Sequence, residues 1–414
     1  MIKHPFQKLL TDKAGKFLFA SVKNCIHVFR LTDGALIGCW EDEIRLQDVQ
    51  EKKFKTQEQP NKRSKTNNKE PKVPVPGPGA PPIYNYIRSL TLSRDEQYVI
   101  GTTDSDKAAV IFKIDITQDN CLSLVKRQVF PKRPCAISTT LDDSQLIVAD
   151  KFGDVYSIPI DADEPVDEKT LQPIMGHVSM LSDVLVAQRN NRQYILTGDR
   201  DEHIRVTHFP KSYVVKHWLF GHKEFVSCLH ILNFDSNLLI SGGGDDFLIL
   251  WNWHSAKRLA SVDLRQYVEA HLNEFHLPPE RFRNNDSKKE ISIAKADSFT
   301  VDNRNFLAVL CEHTNCIVTF IINDDLTFSH KQTLSIHDLI VDFTFTGEEI
   351  ILSLDTESDS QLLESYGFNS EGFLHKKDSD IMQKITSAST CDVISRDEFY
   401  PLYYISSLRK RSDH

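Results

Sequence analysis

The chain of 414 residues contains no run of about eighteen consecutive apolar residues, the length a membrane-spanning helix requires, so no such helix is expected. Residues 1–20 scatter lysines through their apolar positions, and no secretory signal is expected there. The eight cysteines form no C-x-x-C pair and mostly sit inside apolar runs, as Cys25 does in Asn24-Cys25-Ile26-His27-Val28-Phe29. They read as reduced, buried thiols of a cytosolic or nuclear protein. The closest pair, Cys311 and Cys316 with His313 between them, lacks a fourth ligand and the usual spacing, so no metal is expected. A positive charge balance is also missing. The formal net charge is −9, which argues against broad nucleic-acid affinity of the body of the protein. No nucleotide or methyl-donor motif occurs. The glycine cluster Gly242-Gly243-Gly244 leads into a strand, so no helix N-terminus is available for an anion, and no cofactor is expected on this chain.

What is present is a repeat. Gly176-His177 is followed by Ile195-Leu196-Thr197-Gly198-Asp199-Arg200-Asp201-Glu202-His203-Ile204-Arg205-Val206-Thr207. Gly221-His222 is followed by Leu239-Ile240-Ser241-Gly242-Gly243-Gly244-Asp245-Asp246-Phe247-Leu248-Ile249-Leu250-Trp251. The glycine-histidine pairs lie 45 residues apart and the turn residues Asp201 and Asp245 lie 44 apart, the period of a four-stranded WD-type blade. Short β-rich runs separated by Asp, Gly, Asn and Ser turns recur elsewhere, including 87–114, 135–158, 306–321 and 339–354. The fold expected is all-β: one seven-bladed WD-repeat β-propeller over 1–414.

Three segments break the pattern. Residues 41–86 are charged and then Pro/Gly-rich, with eight lysines and arginines from Lys52 to Lys72 against Glu58 and Glu70; a disordered basic insertion is expected. That strap could serve as a phosphate contact, a nuclear address (Lys62-Arg63-Ser64-Lys65) or a solvated linker. Residues 262–285 read as a helical insertion, with Leu264, Val268, Leu272 and Phe275 on one face and Pro278-Pro279 as the stop. Residues 370–414 form a C-terminal segment of mixed character ending in a basic cluster, Arg409-Lys410-Arg411.

His222, Ser241, Asp245 and Trp251 could be mistaken for a nucleophilic constellation. In a WD-type blade the same residue types form a buried network in which every donor has an acceptor, and the structural reading is preferred. Blade four offers His177, Thr197 and Asp201, with Thr207 in the tryptophan position. Arg205, at the position that Ile249 takes in blade five, needs a partner such as Asp199 or Asp201. The charged turns of these two blades are the candidate binding loops, since binding residues concentrate on loops of a rigid scaffold.

The words Gly176–Val184, Thr197–Val206 and Gly221–Ser227 are more specific than a generic repeat. They closely resemble the non-catalytic WD-repeat subunit of the eukaryotic, and in layout the fungal, tRNA (guanine-N7)-methyltransferase complex. The resemblance implies a non-catalytic propeller that binds and stabilises a separate catalytic methyltransferase subunit as a heterodimer. That partner would carry S-adenosylmethionine and form 7-methylguanosine in the tRNA variable loop, in the nucleus and possibly the cytoplasm. tRNA would be held mostly through the partner. Lys223 and Arg200, with Glu202 and Glu224 behind them, are the expected partner-interface residues. The alternatives are a WD scaffold of another assembly, such as a ubiquitin ligase or RNA-processing complex, and a direct tRNA binder acting through the basic insertion.

Overall fold

A computed structural model of the chain describes residues 1–44, 84–161, 164–347, 349–378 and 380–411. Most of the insertion expected at 41–86, including the basic strap from Lys52 to Lys72, lies outside the described residues.

Seven four-stranded antiparallel sheets follow one another along the chain, each built from four consecutive strands. They span 8–41, 87–129, 134–176, 181–219, 226–263, 293–335 and 339–377. First strands of neighbouring blades lie beside one another at the centre of the ring. The middle strands read as unbroken apolar runs because neighbouring blades cover both of their faces; Leu238–Gly243 in blade five is buried at every position. Each joint between adjacent blades has its own apolar cluster. Leu196 and Val206 of blade four pack with Leu239 and Trp251 of blade five, and equivalent clusters fill the other six joints.

Polar contacts at the bulged first strands fix the rotation of one blade against the next. Ser89 Oγ donates to the Cys135 carbonyl at 2.9 Å, and Ser227 Oγ to the Ile293 carbonyl at 2.5 Å. Asp183 accepts the Leu229 amide at 2.7 Å across the joint of blades four and five. Burial raises this carboxyl to about 7. Asp342 does the same for the Leu9 amide at 2.8 Å across the joint of blades seven and one, so the ring closes by a device already used within it. Neither terminus lends a strand to the other's blade; Ile2–Lys3 pairs instead with Asp392–Val393 as a separate ribbon.

Two expectations need correction here. The insertion at 262–285 is helical only in fragments: a single α-helical turn, α1 (Arg265–Val268), then short 3-10 turns at Glu269–His271, Glu274–His276 and Glu280–Phe282. Leu272 is extended, and the Asn273 side chain accepts the Phe275 amide and starts a new turn, which interrupts the helical phase. Leu264, Val268 and Leu272 are buried as expected, but Phe275 is 66% exposed and stacks on His313. The C-terminal segment expected from 370 begins inside the propeller, because Leu374–Lys377 is the outer strand of blade seven.

After that strand, α2 (Asp380–Ala388) buries Met382 and Ile385 against Phe6 and Phe29 of blade one. The chain then crosses one face of the ring, held by acidic groups at or just beyond the ends of second strands. Asp355 takes Arg396 at 2.8 Å and the Tyr403 hydroxyl at 3.0 Å. Buried Glu312 accepts the amides of Tyr404, Ile405 and Ser406 at 2.6, 2.7 and 2.7 Å. Tyr404 and Ile405 thereby line the central channel, together with Lys8, Arg88 and Asp342 from the inner strands.

Candidate functional site

The rim of blades four and five is organised from below by two histidine networks. In blade five the Trp251 indole donates to Ser241 Oγ at 2.8 Å, Ser241 lies 2.7 Å from His222 Nε2, and His222 Nδ1 lies 2.8 Å from Asp245. With Nδ1–H donating to the carboxylate, Nε2 is the acceptor for the serine hydroxyl, so each buried donor has one acceptor. Asp245 also accepts the amides of Lys223 and Glu224 at 3.2 and 3.4 Å, which fixes the loop carrying both side chains. The expected network is therefore present, with all four members buried.

Blade four departs from expectation at one residue. His177 lies 2.8 Å from the Thr197 hydroxyl, as expected, but its carboxylate is Asp199 at 3.1 Å and not Asp201. Asp199 ends its strand opposite Leu181, the place Gly243 takes opposite Val226 in blade five. A Cβ at Gly243 would lie 1.8 Å from the Phe225 carbonyl oxygen, so blade five must draw its carboxylate from the later turn position. Asp201 is left facing outward and accepts from Ser179 Oγ at 2.5 Å. Arg205 finds neither aspartate. It donates to Thr207 Oγ1 at 3.0 Å and to the Gly176 carbonyl at 2.8 Å, and its guanidinium lies 5.7 Å from the Trp218 ring. Thr207, in register where blade five has Trp251, receives the arginine in place of supplying an indole.

The four residues expected at the interface fall into two kinds. Lys223 and Glu202 are exposed, and among the described residues neither side chain has an ion-pair partner. Arg200 and Glu224 are half-buried and already engaged by the chain's own C-terminal tail. Arg200 Nε donates to the Leu408 carbonyl at 2.7 Å, and Glu224 pairs with Arg409 at 2.9 Å. Lys410 pairs with Asp201, and Arg411 meets Glu290 at 2.5 Å. Arg409 is nearly buried, donates to the Gly244 and Ile291 carbonyls at 2.6 and 2.9 Å, and lies over the Phe225 ring. Consecutive tail residues thus gather Arg200, Asp201 and Glu224 into one surface. Partial burial raises the Glu224 carboxyl and Arg409 opposes that rise. Burial also acts upward on Asp201, but Lys410 and Ser179 hold it below the usual carboxylate range.

Sequence reasoning missed the aromatic part of this surface. Trp218 and Phe220 leave the outer strand of blade four 37% and 68% exposed, with rings stacked 6.4 Å apart and His203 against both. Beside the tail, a cavity of about 620 Å³ is lined by Arg200, Phe275, Phe282, Glu290, Arg409 and Arg411. The run Trp218-Leu219-Phe220 before Gly221-His222 was the available signal, since a buried outer strand would not place both aromatics outward.

The His177 and His222 imidazoles of this arrangement are committed to buried hydrogen bonds, and His203 packs against the Trp218 and Phe220 rings. The arrangement offers charge, aromatic area and carbonyl groups on a rigid rim, the composition of a protein-binding surface. The family model for the tRNA methyltransferase TRM82 WD40 domain matches residues 18–173 and 161–370. The chain belongs to this family. Relatives carry the name tRNA (guanine-N(7)-)-methyltransferase non-catalytic subunit TRM82. One from Debaryomyces hansenii is 52% identical and covers 100% of both chains. Others from Kluyveromyces lactis and Saccharomyces cerevisiae are 41% and 38% identical, each covering 99% of both chains. TRM82 members are thus non-catalytic, in keeping with the chemistry of the rim. Among solved structures, U3-55K superposes with a TM-score of 0.59 at 14% identity, covering 85% of this chain and 88% of that one. The RRP9 WD40 repeats give 0.58 at 14%, covering 85% and 87%. These last two likenesses concern the fold alone.

Proposed function

We propose that this chain binds and holds in active form the catalytic subunit of a tRNA (guanine-N7)-methyltransferase, through the rim of blades four and five. The observation that carries the proposal is the pair of exposed charges Lys223 and Glu202, without an ion-pair partner among the described residues, beside the exposed Trp218–Phe220 stack. Isolated charges beside exposed aromatic area suit a surface completed by a second protein, whose aromatic contacts supply affinity and whose charges set register. Arg200 and Glu224 enter this interface through the tail they hold. S-adenosylmethionine and the guanine-modifying groups belong to the partner, and tRNA is gripped mainly there, since the propeller body is acidic.

Methyl transfer to tRNA by this chain alone, by the catalytic subunit alone and by the mixture tests the proposal. Activity in the mixture with little in either single tube is expected; full activity of the catalytic subunit alone overturns the activating role. Lys223→Glu tests the surface. Loss of a partner from a desolvated charge pair costs about 2–5 kcal/mol, so affinity should fall by at least tenfold while the unfolding temperature stays unchanged. Unchanged affinity would remove Lys223 from the interface.

A further inference from the structure

On the side where the two ends of the chain meet, away from the rim, metal-ligating side chains converge. Cys25 and His27 are two apart on the blade-one strand Cys25–Arg30, so both side chains leave the same face. Cys39, on the neighbouring strand, is in register with His27, and directly paired residues share a face. Cys391 arrives from the segment after α2, immediately before the ribbon with the N-terminus. The ligating atoms of Cys25, His27 and Cys391 all lie within 4.8 Å of one another, and all three residues are buried. Thr390 Oγ1 sits among them, 2.9 Å from His27 Nε2 and 3.9 Å from Cys39 Sγ. His27 has no solvent exposure, yet its Nδ1 has no hydrogen-bond partner among the described residues.

Buried cysteines commonly serve as small apolar fillers, and five-eighths of the chain's thiols need no other account than burial or packing. This group differs in having a buried imidazole, one of its nitrogens without a hydrogen-bond partner among the described residues, together with two thiols, and a third thiol on the adjacent strand. Tetrahedral zinc holds sulfur at about 2.3 Å and nitrogen at about 2.0–2.1 Å, so its ligands sit roughly 3.3–3.8 Å apart. The ligating atoms of Cys25, His27 and Cys391, within 4.8 Å of one another, lie as much as an ångström or more outside that spacing at their widest, and Cys39 is the further thiol that the register with His27 brings to the same face.

We propose that Cys25, His27, Cys39 and Cys391 form a soft-metal site of the zinc class that clamps the C-terminal segment to blade one. Binding exchanges three thiol protons, released to solvent, for three metal–sulfur bonds, while the imidazole binds through its lone pair; no electrons are transferred. Thr390, 2.9 Å from His27 Nε2 and 3.9 Å from Cys39 Sγ, is placed to make the kind of outer contact that orients metal ligands.

The test is metal binding by the purified full-length chain. After chelation, titration with cobalt(II) should give the absorption of tetrahedral thiolate coordination at one ion per chain, and zinc should displace it. Cys25→Ser and Cys391→Ser should each abolish that spectrum, while Cys135→Ser, outside the group, should keep it. The wild-type spectrum needs no variant, so a folding defect in a serine variant leaves the test intact. Absence of stoichiometric tetrahedral cobalt in the wild type overturns the proposal. So does a spectrum that survives both substitutions, or a Cys25–Cys391 disulfide in freshly prepared, unreduced protein in place of a metal.

Discussion

Ser241 holds two contacts at once: it accepts from Trp251 and donates to His222. Its replacement by alanine leaves two fully buried groups short of a partner, and each such group costs about 1–3 kcal/mol. Ser241→Ala should therefore lower unfolding stability in urea by at least that amount, more than Thr197→Ala in blade four, where no indole depends on the hydroxyl. Equal losses would show that the tryptophan is satisfied elsewhere. His4 gives a residue-scale pH dependence. Its Nε2 accepts the Tyr400 amide at 2.8 Å and its Nδ1 donates to the Pro5 carbonyl at 2.7 Å, so the ring is neutral by hydrogen bonding. Burial is the largest influence on its pKa and lowers it to about 4 from 6.5. The unfolded chain then binds the proton more readily than the folded one between those values. The contribution of His4 is present above pH 6.5 and is lost as pH falls toward 4. His4→Gln, which takes up no proton, should flatten the melting temperature against pH in that window; an unchanged slope would assign the acid sensitivity to other groups.

At the scale of elements, the glycines after Ser241 serve packing. Gly243→Ala places a methyl group against the Phe225 carbonyl, with no flexible side chain to yield. Overpacking of this kind costs about 1–3 kcal/mol. Differential scanning calorimetry should find the variant less stable, and stability equal to wild type would mean that the first strand of blade five shifts freely. Middle strands were legible in the sequence because two covered faces turn them into continuous apolar runs with fixed turn residues. Outer strands were not: Lys257–Asp263 has no fully buried position and so carries no periodic signal. Ile293–Val301 was missed for a related reason, since its inner-strand pattern is broken by the bulge at Ile293/Lys295. The helical reading of 262–285 held for its separate turns but not as one continuous helix, because local capping by Asn273 outweighed a four-residue apolar spacing. Asp199 was passed over for Asp201 because aligning turns by length ignores which strand end can carry a Cβ.

For the molecule as a whole, the contacts that sequence patterning could not anticipate are those of the tail. They join residues 396–411 to blades four, five, six and seven, and no periodicity spans such separations. Glu312 is the centre of this attachment, because three consecutive tail amides end on one buried carboxylate. Glu312→Ala should release the segment. Hydrogen exchange at Tyr404, Ile405 and Ser406 is expected to accelerate at least tenfold, while the strands of blades two and three keep their protection. Slow exchange at those amides in the variant would show that Tyr403 and Arg396 suffice as anchors. Sequence reading located the rim and two of its exposed charges, Lys223 and Glu202, but not that Arg200 and Glu224 are shared with the tail.

Leu408, Arg409 and Lys410 place the last part of this rim to be synthesised against side chains made some two hundred residues earlier. A ribosome has to have passed residue 411 before Arg200, Asp201 and Glu224 can be gathered, although all seven sheets are complete by Lys377. A nascent or prematurely ended chain can therefore possess a finished propeller and still present an unfinished rim, so the rim proposed for docking is complete only once translation has run through the basic cluster.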